Sequence, residues 1–352
     1  MKKNINVEPM KYDAKFDLIK FILSIFVLAI HSSLYPKILY PWLRIAVPLF
    51  FIISSYFLFK KLSDSSKSEH RIILKKFIVR NFKLYFSWFI ILMPVTLYIR
   101  QQLFIHNGVL ENISNIIKSI FFGSTFIASW FIMATIIGVL IIYLLSIWLK
   151  NDYIVLCISA VAFCLVTLQS SYTSLIDNTL VSVVINKYID LFGGLVCSFP
   201  ASLFWIFIGK MFAENKIKLN SIYVLFFLIV CSSVFLFVEW RTVIYLNGTY
   251  ANDSYFMLAP LCVFIFLGLE RIRPIDWRQS TYFRRLSTVI YVSHGSIVII
   301  ISKLLPVVFN VDNPLCSFFL TFLCCIVIYI FIEFMNKKFN RHQLGKILKM
   351  LY

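Results

Sequence analysis

Acidic residues are scarce: the chain of 352 residues holds 16 Asp and Glu against 34 Lys and Arg, a net charge of +18. Charged residues of both signs make up only 14% of it. No soluble domain of this size carries so little charge beside so much apolar side chain. The eight cysteines include no Cys-x-x-Cys pair, and Cys157, Cys164, Cys262, Cys324 and Cys325 fall inside apolar runs. That excludes a zinc or dithiol redox site and leaves packing thiols. No Gly-rich phosphate loop, Gly-x-Ser-x-Gly elbow or metal-spaced pair of His on one helix is present, so no metal site is expected. Internal repeats, low-complexity stretches and a second domain are also lacking. The first apolar run has no small-x-small cleavage site after it, so it is expected to remain as a membrane span.

What is abundant is apolarity: 60% hydrophobic residues and a mean hydropathy of +0.86. The expected class is an all-α integral membrane protein. Ten spans are predicted, at 14–35, 41–60, 79–100, 129–149, 153–170, 192–212, 220–238, 254–270, 286–304 and 314–335. Residues 1–336 then form one transmembrane domain and 337–352 a short basic tail. The great majority of the basic residues fall on one side of this scheme: in the N-terminal tail, at 60–83, at 210–218, at 271–285 and after 336. By the positive-inside rule both termini are cytoplasmic. The positive excess is therefore loop bias and attraction to anionic membrane lipid, and no nucleic acid is expected as a partner. Of the outer loops, 101–128 contains Val109–Phe122, whose pattern suits an interfacial helix, and the tail Lys337–Tyr352 suits an amphipathic helix on the inner leaflet.

The first span carries an acid, a base and an imidazole. Asp17, Ser24 and His31 repeat every seven residues, and Lys20 joins the same stripe. Lys20 and His31 are eleven residues apart, about 20° past three full turns and about 16 Å along the axis. Ionisable groups inside a span cost roughly 2.5–3.5 kcal/mol each on insertion scales, so the stripe faces protein or water and has a task. His31 lies toward the outer end, where a neutral imidazole can take a proton from a hydroxyl.

Four further features stand out. Arg44 opens the second span, in Arg44-Ile-Ala-Val-Pro48 followed by Ser54, and suits either an oxyanion or lipid head groups. Arg80 and Lys83 share a helix face at the inner side and suit either the phosphates of a nucleotide-like donor or ordinary inside charge. Trp130 opens the fourth span. Tyr291 and His294 lie within the ninth.

At these residues the chain resembles the acyltransferase 3 family, the ten-span membrane acyltransferases. Asp17, Lys20 and His31 are similar to the family's first-span motif; Arg44, Val47-Pro48-Leu-Phe-Phe51 and Ser54 to its second-span signature; Trp130-Phe131 and Tyr291 with His294 to its later ones. Ser55 stands where Gly is usual, Lys83 where Arg is usual and Gly295 where Pro is common. The resemblance implies O-acyl transfer, usually of acetyl from acetyl-CoA, to a hydroxyl of an extracytoplasmic glycan or lipid-linked sugar at the bacterial cytoplasmic membrane. It implies that Lys20, Arg80 and Lys83 bind the donor. His31 deprotonates the acceptor or is itself acylated, Arg44 stabilises the oxyanion or fixes the acceptor, and Asp17 pairs with Lys20. The same signatures occur in the membrane part of vancomycin-resistance serine racemases, so a serine or small-solute transport module is the alternative. A scaffolding subunit of a glycan-assembly complex is a third.

Overall fold

The structure, a computed structural model, describes residues 13–35, 37–105, 108–249, 251–309, 313–339, 345 and 348–352, apart from the side chains of 99–105, 109–110 and 307–309. The N-terminal Lys2, Lys3 and Lys11, the loop residue His106 and the tail residues Arg341, His342 and Lys346 lie outside the described residues. Among the described residues the chain is helical throughout, with no strand. In order the helices are α1 (Ala14–His31), α2 (Tyr40–Leu43), α3 (Ala46–Ser63), α4 (Lys67–Ile105), α5 (Val109–Phe122), α6 (Trp130–Leu149) and α7 (Asp152–Ser171). They continue with α8 (Thr173–Ile176), α9 (Leu180–Phe192), α10 (Pro200–Ala213), α11 (Ile222–Asn247), α12 (Leu258–Arg271), α13 (Ser280–Phe309) and α14 (Pro314–Lys338).

Among the described residues seven segments are long and apolar enough to cross a membrane: Lys37–Ser63, Lys67–Tyr98, Trp130–Leu149, Asp152–Ser171, Ile222–Asn247, Ser280–Pro306 and Pro314–Lys338. At the other three predicted spans stand α1, of 18 residues with Lys15, Asp17 and Lys20 in its first half, and α10 and α12, of 14 residues each. All three pack on neighbouring helices, α12 on α11 and α3, and α10 is buried along nearly its whole length. α10 packs on α3, α6 and α7, and α1 packs on α13 and α3. A short helix buried on nearly every side needs no lipid-spanning length of its own surface.

Close approach between helices is set by small residues. A Cβ on Gly209 of α10 would collide with the Ser55 hydroxyl and the Ile52 carbonyl of α3. The serine at 55 is thus accommodated by glycine on the facing helix; its hydroxyl donates back to the Phe51 carbonyl at 2.7 Å. Gly138 of α6 makes the same room for Ser202 of α10, which donates to the Ala134 carbonyl at 2.9 Å.

Several segments differ from expectation. The basic 60–83 stretch is helix from Lys67 onward, so the 39-residue α4 is about 58 Å long. Lys, Arg and Glu are good helix formers, and nothing between Lys67 and Arg80 breaks the helix. The predicted span at 192–212 begins only at Pro200, after Gly193, Gly194 and the short 3-10 turn Leu195–Cys197. The segment 171–191, between two predicted spans, holds an amphipathic helix, α9. Val181, Ile185 and Tyr188 of α9 pack inward while Leu180, Val183 and Val184 stay exposed. The expected interfacial helix Val109–Phe122 is present with those bounds. Of the expected tail helix, 340–344 and 346–347 lie outside the described residues; at its end Leu351 is buried, its carbonyl takes the Trp88 indole N–H at 3.0 Å, and Tyr352 accepts from Asn336 at 2.6 Å.

Candidate active site

The start of α1 is fixed from both sides. Asp13 caps it, accepting the Lys15 N–H at 3.2 Å and the Ile275 N–H at 3.3 Å. The Lys15 ammonium pairs with Asp13 at 3.0 Å and donates to the Ile272 carbonyl at 2.6 Å. One turn on, buried Asp17 accepts the Ser280 hydroxyl at 3.0 Å, joining α1 to the first residue of α13. The two helices then run together, and the stripe on α1 faces the one on α13 that carries Arg284, Thr288, Tyr291 and His294.

Between α1, α3, α4, α6 and α13 lies a cavity of about 540 Å³. Asp17, Lys20, Ser54, Arg80 and Tyr291 all line it. Three cations that sequence reasoning had left as inside charge also do: Lys61, Lys76 and Arg284. Arg284 stands seven residues before Tyr291, two turns along one face, and that spacing was the available signal. Lys83 is absent from the lining and points to the exposed side of α4. Lys20, Arg80 and Arg284 act electrostatically on one another. Among the described residues neither Lys20 nor Arg80 forms an ion pair. Like charges held together at the edge of a low-dielectric bundle favour an anion between them.

Aromatic rings close the other end of the cavity. Phe50, Phe131 and Tyr291 form its roof, with Tyr291 at 5.4 Å from Phe50 and 5.1 Å from Phe131 between ring centroids. Trp130 stands behind them, 6.1 Å from Phe51. Beyond the roof is His294, 6.1 Å from Tyr291, and beyond that His31, whose ring centroid is 4.9 Å from that of His294. His294 is fully buried, and its Nδ1 lies 2.9 Å from the Ile290 carbonyl. A carbonyl can only accept, so Nδ1 carries the proton and Nε2 is a bare acceptor. Among the described residues that Nε2 has no hydrogen-bond partner. His31 closes α1 and is exposed; Ser33, with φ of 57°, turns the chain away directly after it. Gly295 lets the 123–129 loop approach α13 here, because a Cβ on it would collide with Ile127.

Arg44 caps the C-terminal end of α2 and lies within electrostatic range of His31. Asp253 holds it, through an ion pair to its carboxylate and a 3.2 Å bond from Nε to its carbonyl. The loop that presents Asp253 is anchored in turn. Ser170 accepts the Asp253 and Ser254 N–H groups at 2.8 and 3.0 Å. Glu239 accepts the Phe256 and Met257 N–H groups and the Tyr172 hydroxyl at 2.6–2.7 Å, satisfying the start of α12. Asp253 and Glu239 escaped the sequence reading because their partners lie on other helices.

The structure thus gathers the predicted residues into two groups on the same pair of helices. One is a cationic cavity toward the start of α1, and the other is a histidine pair with Arg44 at its end. The first suits a polyanionic donor, the second proton transfer and charge stabilisation. The family model described as an acyltransferase domain matches residues 13–331, well over half of the chain. No curated protein and no solved structure matches it. The protein belongs to the acyltransferase 3 family and is a membrane acyltransferase.

Proposed function

We propose that this enzyme moves an acetyl group from cytoplasmic acetyl-CoA to a hydroxyl of an extracytoplasmic glycan or lipid-linked sugar, at a bacterial cytoplasmic membrane. In this reading ten helices cross, the short α1, α10 and α12 among them, and both termini are cytoplasmic. The observation that carries it is the placement of five cations around one cavity, with a histidine pair beyond its roof on the same helices.

The phosphates of the donor fit Lys20, Arg80 and Arg284, with Lys61 and Lys76 at the mouth; Lys83 is left out. The thioester then points along α1, about 16 Å from Lys20 to His31, once the Tyr291 ring turns aside. His31 takes the acceptor's hydroxyl proton as the oxygen attacks the thioester carbonyl. The carbon–oxygen bond forms, the carbon–sulfur bond breaks, and the proton ends on the departing CoA thiol. Arg44, held by Asp253, faces the charge developing on the carbonyl oxygen. The ring centroids of His31 and His294 are 4.9 Å apart, so a turn of the His31 ring would let its far nitrogen donate to His294 Nε2 and leave the near one free to act as base.

The test is transfer of labelled acetyl from acetyl-CoA by purified protein in nanodiscs, with His31→Ala beside it. The expected result is label transfer or hydrolysis by the wild type and none by the variant, with donor binding intact in both. Full activity in His31→Ala would sink the mechanism.

A further inference from the structure

A second cavity, also of about 540 Å³, lies further along α4 from the cationic one. The donor cavity uses α4 as far as Leu84, and this one begins at Phe89. Its wall has two chemistries. On the α4 side are Phe89, Met93 and Leu97, continuous with the helix's exposed apolar face at Phe86, Ile90 and Ile91. Opposite are polar groups from α5 and α9: Asn115, Lys118 and Asp190.

Both of those helices are too short to cross a bilayer, and both keep apolar residues exposed: Ile113, Ile117 and Phe121 on α5, and Leu180, Val184 and Leu191 on α9. An amphipathic helix with such a face lies in the membrane interface. With both helices lying in the interface, the cavity between them would sit at headgroup depth, its apolar wall on α4 and its polar wall on α5 and α9.

It also adjoins the histidine pair. Thr125 lines it, bonded to the buried Tyr85 hydroxyl at 2.8 Å and through its N–H to Ser129 at 2.9 Å. Two residues on, Ile127 of that same loop rests on Gly295, next to His294. Cys197 lines it as well and is within electrostatic range of both Arg44 and Tyr291.

From this placement we infer that the second cavity is the acceptor site and that its ligand is a lipid-linked saccharide joined through phosphate. The lipid chain lies along Phe89, Met93 and Leu97, the phosphate meets Lys118, and sugar hydroxyls bond Asn115 and Asp190. A free, water-soluble glycan has no use for the apolar half, and an ordinary phospholipid headgroup offers the amide and carboxylate fewer hydroxyls than a saccharide does. The inference rests on the acyl-transfer reading for the role of the site, but the site itself can be measured without donor.

The experiment is native mass spectrometry of the full-length protein in detergent. The probes are farnesyl-diphosphate-linked N-acetylglucosamine, N-acetylglucosamine 1-phosphate and dioleoyl phosphatidylglycerol; acetyl-CoA binding is measured separately. The lipid-linked sugar is expected to bind about tenfold or more tightly than either other probe. Asn115→Trp, which fills the cavity, and Lys118→Glu, which reverses its charge from an exposed position, are each expected to weaken that binding about tenfold, the scale of one lost charge-assisted contact. Acetyl-CoA binding stays unchanged in both. Absence of lipid-linked sugar binding in the wild type, or wild-type binding in both variants, overturns the site. Equal binding of phosphatidylglycerol makes it an ordinary lipid niche, and equal binding of the free sugar phosphate makes the acceptor water-soluble; either overturns the inference. Loss of acetyl-CoA binding in the wild type with probe binding intact would refute the donor reading alone.

Discussion

Arg80→Gln and Lys83→Gln separate the cavity from the general positive charge of its surroundings. The two residues are three apart on α4, carry the same charge and are both cytoplasmic in the proposed topology. Only Arg80 lines the cavity. A hydrogen bond to a charged group contributes about 1.5–3 kcal/mol, so losing one phosphate contact predicts about a 10- to 100-fold rise in the KM for acetyl-CoA. Because the contact is present in ground and transition states alike, kcat should hold within about twofold. Lys83→Gln removes only distant, screened charge and should change KM less than about twofold at physiological salt. A second readout guards against misfolding. Arg80 stands among Lys20 and Arg284 with no ion pair among the described residues, so removing its charge relieves repulsion in the cavity when donor is absent. Arg80→Gln should therefore melt no lower than the wild type in the absence of donor, while gaining less stabilisation when acetyl-CoA is added. The assay is initial rate against acetyl-CoA concentration at two salt strengths, with thermal unfolding alongside. Equal KM effects from the two variants would refute the assignment of the donor site, as would a normal KM in Arg80→Gln.

Three further outcomes follow from the packing. Tyr291→Ala removes the ring that roofs the cavity, so hydrolysis of acetyl-CoA without acceptor should rise several-fold while transfer falls; unchanged hydrolysis would show that the roof does not exclude water. Gly209→Ala drives a methyl into the Ile52 carbonyl and the Ser55 hydroxyl and should cost about 1–3 kcal/mol in thermal unfolding; adding Ser55→Gly should recover part of that, and no recovery would show that the two helices do not meet there. Glu239→Gln weakens three hydrogen bonds at the start of α12, two of them to backbone N–H groups, and should lower stability by about 1–3 kcal/mol. Arg44 would also lose the support of the loop that presents Asp253, so transfer should fall with it.

Much of the fold was legible because a membrane makes sequence speak plainly. α6 and α7 fall within a residue or two of their predicted bounds, since apolar length and polar ends decide them. The errors lie where that rule has no grip. α4 is already helix from Lys67, because the basic stretch up to Arg80 holds good helix formers and no breaker. The segment that forms α9 is rich in Asn, Ser, Thr, Tyr and Asp, which suit either contact with a sugar or plain solvation and hide the helix. A 3-4 spacing of Val181, Ile185 and Tyr188 was there to be seen. α10 and α12 needed no spanning length because protein, not lipid, surrounds much of them.

The site was legible only where its residues share a helix. Asp17, Lys20 and His31 announce themselves by period, and Tyr291 and His294 by their cost in a span. Arg284 did not, because an arginine at the inner end of a span is what the positive-inside rule already supplies; only the pairing of α1 with α13 brings it beside Lys20 and Arg80. Asp253 did not either, since an acid in an outer loop carries no sign of its partner. The roof was equally hidden. On α1 alone the stripe from Lys20 to His31 reads as one continuous path, but α13 lays Tyr291 across it, against Phe50 and Phe131 from two other helices. In the proposed reaction, with donor on one side of the membrane and acceptor on the other, the enzyme would have to keep water and ions from passing between. A ring that must move for the thioester to reach His31 meets that need, and no single helix could have shown it.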